Sequence, residues 1–274
     1  MSRLAPLFEK LKQEGRRAVV PYLVAGDPNE ALTVPLMHAL VDAGADIIEV
    51  GVPFSDPMSE GPTIQKAHER ALEGGTSLKS TLAPVEDFGR TNATTPLVLM
   101  GYANPLERQG YAYVADACAD AGIDGLITVD LPPEEVAAMN TELQRRELDN
   151  IFLISPTTSD ERVATITQQA SGFIYYVALK GVTGAGNLDT AAVEAHLAII
   201  RAHSDLPVAV GFGIKDAETA ATVAGCADAV VVGSAMVDCI AAQYASESDP
   251  AAATEAAHSL ISTIRTGVHL ATSK

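Results

Sequence analysis

The chain has 274 residues, with 35 Asp and Glu against 18 Lys and Arg and a formal net charge of −17 at pH 7. Polyanion partners need clustered Lys and Arg, so this balance argues against nucleic acid and anionic membrane, and the acidity reads first as a solubility or salt adaptation. Cys118, Cys226 and Cys239 lie far apart without a CxxC pair, and no signal-peptide core or run of roughly 18 apolar residues occurs, so a cytoplasmic chain with reduced thiols is expected.

Leu4, Leu7, Phe8 and Leu11 recur at helical spacing and predict an amphipathic helix over the first fifteen residues, ended by Gly15 and packed on the body of the domain. A first strand is expected over 18–24, stopped by Gly26-Asp27-Pro28, with Asn29 capping a helix to about Asp42. The second strand, 46–50, carries Glu49 inside an apolar run. A loop with Pro53, Pro57 and Pro62 and the acids Asp56 and Glu60 follows, then helices over 63–73 and from about Ser77 to Phe88. Further on come a strand over 96–101, a loop over 102–105 and a helix over 111–121. The fourth strand, 125–130, runs into Leu131-Pro132-Pro133-Glu134-Glu135, read as a helix start. The fifth, 150–154, leads to a helix at Asp160. The sixth, 173–178, opens into the glycine-rich loop 181–186, the seventh, 208–210, into Gly211-Phe212-Gly213, and the eighth, 229–232, into Gly233-Ser234.

Eight strand-then-helix units with unbroken apolar strands predict an α/β protein with an all-parallel sheet, a single (β/α)8 TIM barrel with an extra amino-terminal helix. No stretch reads as a linker, so one domain over residues 1–274 is expected. A doubly wound open sheet is the alternative; its mark is a glycine fingerprint after the first strand, and Ala25-Gly26-Asp27-Pro28 is not GxGxxG.

Barrels of this class bind phosphate with the loops after the last strands and a helix amino end, a role that Gly184, Gly213, Gly233 and Ser234 fit. A lone glycine loop can be only a tight turn, but three at consecutive strand ends point to a phosphorylated small molecule. If Ile48 and Val50 face the helices, Glu49 faces the barrel mouth, where burial would raise its pKa and let it exchange protons near neutral pH. The competing reading pairs it with a Lys or Arg. Asp56 and Glu60, as loop acids, read by themselves as solvated surface. Tyr22, Met100, Tyr102, Ile127, Tyr175 and Phe212 each could be core or surface, but their shared position near strand ends suits an apolar pocket for a flat aromatic group. The histidines fall on predicted helices without ligand spacing, so no metal site is expected, and no Ser-His-Asp or Cys-His set can be built from loops. Lys180 lies past the sixth strand, poorly placed for a Schiff base.

The run from Glu49 to Pro57 through Val50-Gly51-Val52-Pro53-Phe54-Ser55-Asp56, with Gly61-Pro62-Thr63-Ile64-Gln65, Gly181-Val182-Thr183-Gly184, Gly211-Phe212-Gly213 and Gly233-Ser234, resembles the tryptophan synthase alpha chain family over essentially the whole domain. The resemblance implies a barrel lyase of tryptophan biosynthesis that splits indole-3-glycerol phosphate into indole and glyceraldehyde 3-phosphate. It implies no cofactor in this chain and a partner beta chain that uses pyridoxal phosphate and receives indole through a tunnel, in a tetramer of two alpha and two beta chains. By position it implies Glu49 as general acid/base on the glycerol hydroxyl and the acid at 60 as acceptor of the indole N–H. Tyr175 would stand near the glycerol chain, Thr183 against the loop acid on loop closure, and Asp56 toward the beta chain. The chain departs from the pattern at Glu60, where the family usually has Asp, and at Ala178-Leu179-Lys180, where it often has Ser and Arg. Tyr22 and Met100 stand where Phe and Leu are frequent. A free-standing indole-3-glycerol phosphate lyase and a non-catalytic phosphate-ligand subunit that activates a partner are the alternatives.

Overall fold

Short apolar runs rich in β-branched residues become parallel strands when both faces are buried, and eight do so here. They are Ala18–Val24 (β1), Ile48–Gly51 (β2), Leu97–Gly101 (β3), Gly125–Thr128 (β4), Asp149–Ile154 (β5), Ile174–Val177 (β6), Val208–Gly211 (β7) and Ala229–Val232 (β8). Each pairs with the next and β8 closes onto β1, in a computed structural model that describes residues 2–178, 190–211, 213–247 and 249–272. Leu4–Gln13 (α1) precedes the barrel, and Thr33–Asp42 (α2), Pro62–Glu73 (α3), Leu78–Thr91 (α4), Ala103–Gln109 (α5), Tyr111–Ala121 (α6) and Ala137–Arg145 (α7) accompany its first half. Asp160–Gln169 (α8), Thr190–His203 (α9), Ala217–Ala224 (α10), Ser234–Glu247 (α11) and Pro250–Thr272 (α12) accompany the second. Among the described residues no helix is long and apolar enough to cross a membrane.

Alternation along each strand sorts side chains into two layers. Val19, Ile48, Val50, Leu97, Leu99 and Val230 pack outward on the helices, while Val20, Ile47, Val98, Ile127, Ile151 and Ala229 fill the barrel interior. The apolar face of α1 joins that interior. Leu4, Phe8 and Leu11 are buried, and the Phe8 ring meets Phe173 at 5.8 Å between centroids. This plugs the amino end, and Arg3 fastens it through an ion pair of 2.6 Å to the buried Asp124.

Asp124 belongs to a device used three times. An Asp ahead of one strand accepts a backbone N–H at the start of a neighbouring strand: Asp46 from Val19 at 2.9 Å, Asp124 from Leu97 at 2.8 Å and Asp228 from Val208 at 3.0 Å. Each carboxylate satisfies a donor at the barrel's lower rim. That use of Asp46, which also takes 2.6 Å from Arg265, is why β2 begins at Ile48 rather than at 46 as expected.

Other boundaries moved for local reasons. The expected loop 102–105 is the start of α5, because Pro105 falls in the first helical turn, where an N–H would go unused, and Asp130 accepts the Ala103 N–H at 2.6 Å. The helix expected from 131–135 begins only at Ala137, and Glu134 instead pairs with Arg162 at 2.7 Å. Asn29 does cap, accepting the Ala31 N–H at 2.9 Å, but it opens a short 3₁₀ turn, Glu30–Leu32, ahead of α2.

At Gly267 the backbones of α12 and α10 meet so closely that a Cβ would overlap the Ala217 carbonyl. Neither backbone can rotate away. Gly267→Ala is therefore expected to destabilise the fold by about 2 kcal/mol, overpacking of about 3 set against a helix-propensity gain of about 1. A lower urea midpoint at unchanged slope would show it.

Candidate active site at the carboxyl mouth of the barrel

The site begins with β2. Its register sets Glu49 beside Tyr22 of β1 and Val98 of β3, and the strand's alternation turns the carboxyl inward. Glu49 is 2% exposed, and its Oε1 has no hydrogen-bond partner among the described residues. Burial, reinforced by the charge of Glu60, pushes its pKa up to about 8. The Lys or Arg partner of the competing reading is not found among its described contacts.

Glu60 departs from the expectation for a loop acid. It is half-buried, and burial pushes its carboxyl up to about 7, whereas Asp56 is exposed and hydrogen-bonded to Ser55 at 2.6 Å. The loop turns back over the mouth because three contacts hold it. Tyr102 accepts the Ser59 N–H at 3.2 Å, its ring stacks on Phe54 at 5.2 Å, and Gln65 donates to the Glu60 carbonyl at 2.8 Å.

Two tyrosines complete the polar floor. Tyr22 and Tyr175 are pushed well above the ordinary phenol range, first by burial and then by the charges of both Glu49 and Glu60, so all four groups share one mouth. Room for the rings comes from glycine. A Cβ at Gly51 would collide with the Tyr22 hydroxyl, and one at Gly211 with the Tyr175 hydroxyl. Met100 is half-buried between the barrel interior and the cluster of Tyr22, Ile64 and Val237, and Ile127, its register partner on β4, is 1% exposed. The structure thus brings together Glu49, Glu60, Tyr175, Tyr22, Met100, Tyr102 and Ile127.

Further round the same rim, Gly213 follows β7 with a φ of 38°, and Gly233 leads into α11, whose first residue is Ser234. A Cβ at Gly213 would meet nothing within 4 Å, and at Gly233 only Ile64 Cδ1 at 4.0 Å, so this corner has room beside the amino end of α11, where a helix's first N–H groups lack i−4 partners. Thr183, Gly184 and Phe212 lie outside the described residues, as do Lys180 and the rest of 181–186. No group of three His, Cys, Asp or Glu among the described residues could hold a metal ion.

Sequence reading missed His68. It lies on the buried face of α3 with Ile64, Ala67 and Ala71, accepts the Phe54 N–H on Nδ1 at 2.9 Å, and has Nε2 3.5 Å from the Tyr22 hydroxyl. Burial lowers its pKa to about 4, so the ring is neutral at physiological pH. The available signal was its place in the Ile64, Ala67, Ala71 stripe, where a polar ring needs partners.

The raised Glu49 carboxyl ties stability to pH. A folded pKa above the unfolded one means the native state holds the extra proton, so this contribution is full below pH 4.5 and is lost as pH rises through about 8. The loss is on the order of several kcal/mol. Glu49→Gln is expected to melt higher than the parent at pH 9 and to show a smaller drop from pH 6 to 9 by calorimetry.

The family model of the tryptophan synthase alpha chain matches residues 8–265. The tryptophan synthase alpha chain of Thiobacillus denitrificans is 57% identical over 238 residues, 87% of this chain and 87% of that protein. That of Thioalkalivibrio sulfidiphilus is 55% identical over 265 residues, 97% of this chain and 98% of its own length. The crystal structure of tryptophan synthase subunit alpha from Legionella pneumophila superposes with a TM-score of 0.91 at 44% identity, covering 98% of this chain and 99% of that one. With the family model spanning nearly all of the barrel and relatives this similar over most of their length, the chain belongs to the tryptophan synthase alpha chain family.

Proposed function

We propose that this chain cleaves indole-3-glycerol phosphate to indole and glyceraldehyde 3-phosphate, with Glu49 and Glu60 handling the protons. The observation that carries the reading is the carboxyl pair, raised to about 8 and about 7, which between those two values together hold about one proton. Glu49, protonated, gives its proton to C3 of the indole ring. Glu60, ionised, accepts the ring N–H and offsets the positive charge that develops. Glu49 then takes the proton of the glycerol hydroxyl as the C3–C bond breaks; its electron pair returns to the ring, indole leaves, and the aldehyde forms. The acid is restored without any other reactant, so the step needs no cofactor in this chain.

In this reading Tyr175 stands by the glycerol chain, and Tyr22, Met100, Tyr102, Ile127 and Phe212 enclose the indole. Gly184, Gly213, Gly233 and Ser234 take the phosphate, and Thr183 meets the loop acid on closure. Asp56, exposed on the same loop, faces a beta chain that uses pyridoxal phosphate, in a cytoplasmic tetramer of two alpha and two beta chains. The test is indole release from indole-3-glycerol phosphate with and without a tryptophan synthase beta chain. Slow release that rises strongly with the beta chain is expected. Fast release indifferent to the partner would mean a free-standing lyase, and none in either condition would leave a binding subunit.

A further inference from the structure

The hydrogen bonds of His68 join two parts of the site that the chain keeps apart. Phe54 lies 14 residues before it, at the base of the loop that carries Glu60, and Tyr22 lies 46 residues before it, on β1. The Phe54 N–H can only donate, so Nδ1 must be the bare nitrogen and a neutral ring must carry its proton on Nε2. That proton faces the Tyr22 hydroxyl oxygen. With His68 donating into it, the phenol cannot donate back, and its own proton must go to another acceptor. Glu49, Tyr22's register partner, lies in the same buried mouth, and its Oε1 has no hydrogen-bond partner in the described geometry, the Tyr22 hydroxyl included, so it is open to a donor that swings toward it.

We propose that His68 is a positioning residue for the cleavage reaction: it anchors the Glu60 loop through Phe54 and turns the Tyr22 hydroxyl proton into the cavity shared by Glu49 and Glu60. Tyr22 is thereby more than an apolar wall for the indole. Its O–H is a directed donor that steadies whichever carboxylate is ionised as the proton moves between substrate and Glu49. The two contacts of His68 have separate consequences. Loss of the Tyr22 contact leaves the hydroxyl unoriented and slows the chemical step, whereas loss of the Phe54 contact loosens the loop and weakens substrate binding. This inference rests on the lyase reading above.

Asn and Gln at position 68 divide the two contacts, since an Asn amide reaches about as far as Nδ1 and a Gln amide about as far as Nε2. Steady-state indole release is measured in the presence of beta chain for the parent, Tyr22→Phe, His68→Asn, His68→Gln and the double variant Tyr22→Phe/His68→Asn. Tyr22→Phe and His68→Asn should each lower kcat about 10-fold with little change in KM, the size of one lost hydrogen bond, and the double variant should fall no further. His68→Gln should keep kcat within about 3-fold and raise KM instead. Parental kcat in Tyr22→Phe and His68→Asn, or losses that multiply in the double variant, would overturn the proposal while leaving the lyase reading intact. No release from the parent would overturn both. Independently of any variant, nitrogen-15 spectra of the parent should show His68 protonated on Nε2 alone between pH 6 and 8; a proton on Nδ1 would sink it.

Discussion

Replacing Glu49 by Gln should lower kcat for indole formation by about 10³-fold, within the range of about 10² to 10⁴ that one general acid/base contributes, while a phosphate-bearing indole analogue still binds with parental affinity. Gln keeps the volume and the inward direction of the side chain but can neither give a proton to C3 nor take one from the glycerol hydroxyl. No described neighbour is placed to substitute, because the other carboxyl, Glu60, sits on the loop side and is assigned to the ring nitrogen. The site should therefore remain formed and become inert. Its stability should even rise at alkaline pH, as burying an ionised, unpartnered carboxylate is no longer required. Turnover near the parental rate in this variant would remove Glu49 from the mechanism.

The pH dependence of kcat/KM should be bell-shaped, with limbs near 7 and 8. The reactive form has Glu60 ionised and Glu49 protonated; Glu60, at about 7, must lose its proton on the acid side, and Glu49, at about 8, must keep its own on the alkaline side. The two values belong to the interacting pair. Glu60→Gln should cut kcat about 100-fold by removing the charge opposite the ring N–H, and it should also reshape the profile. The acid limb disappears. Since the charge of Glu60 helps hold Glu49 up, the alkaline limb should move to lower pH. An alkaline limb that stays in place or rises in Glu60→Gln would show that the two carboxyls do not interact in the working enzyme.

The strands were legible because a parallel strand buried on both faces leaves an unbroken apolar run, and 18–24 and 229–232 were read to the residue. The inward turn of Glu49 was legible too, since the two-residue period of a strand settles its face once Ile48 and Val50 are assigned to the helices. Helix α5 was not, because Pro105 reads as a breaker unless its place in the first turn is known. Glu60 resisted for a different reason. Loop acids are solvated by default, and this one is covered only because Tyr102 and Gln65 hold the loop down.

The sequence by itself determined the barrel, the carboxyl end at which its loops gather, and which residue types arrive there, all from local patterns of polarity and chain-reversing residues. Only the tertiary structure decided that Glu60 is covered and titrates beside Glu49, and that His68 belongs to the site at all. Both depend on desolvation and on partners brought in from other strands and helices, and no periodicity along the chain encodes them.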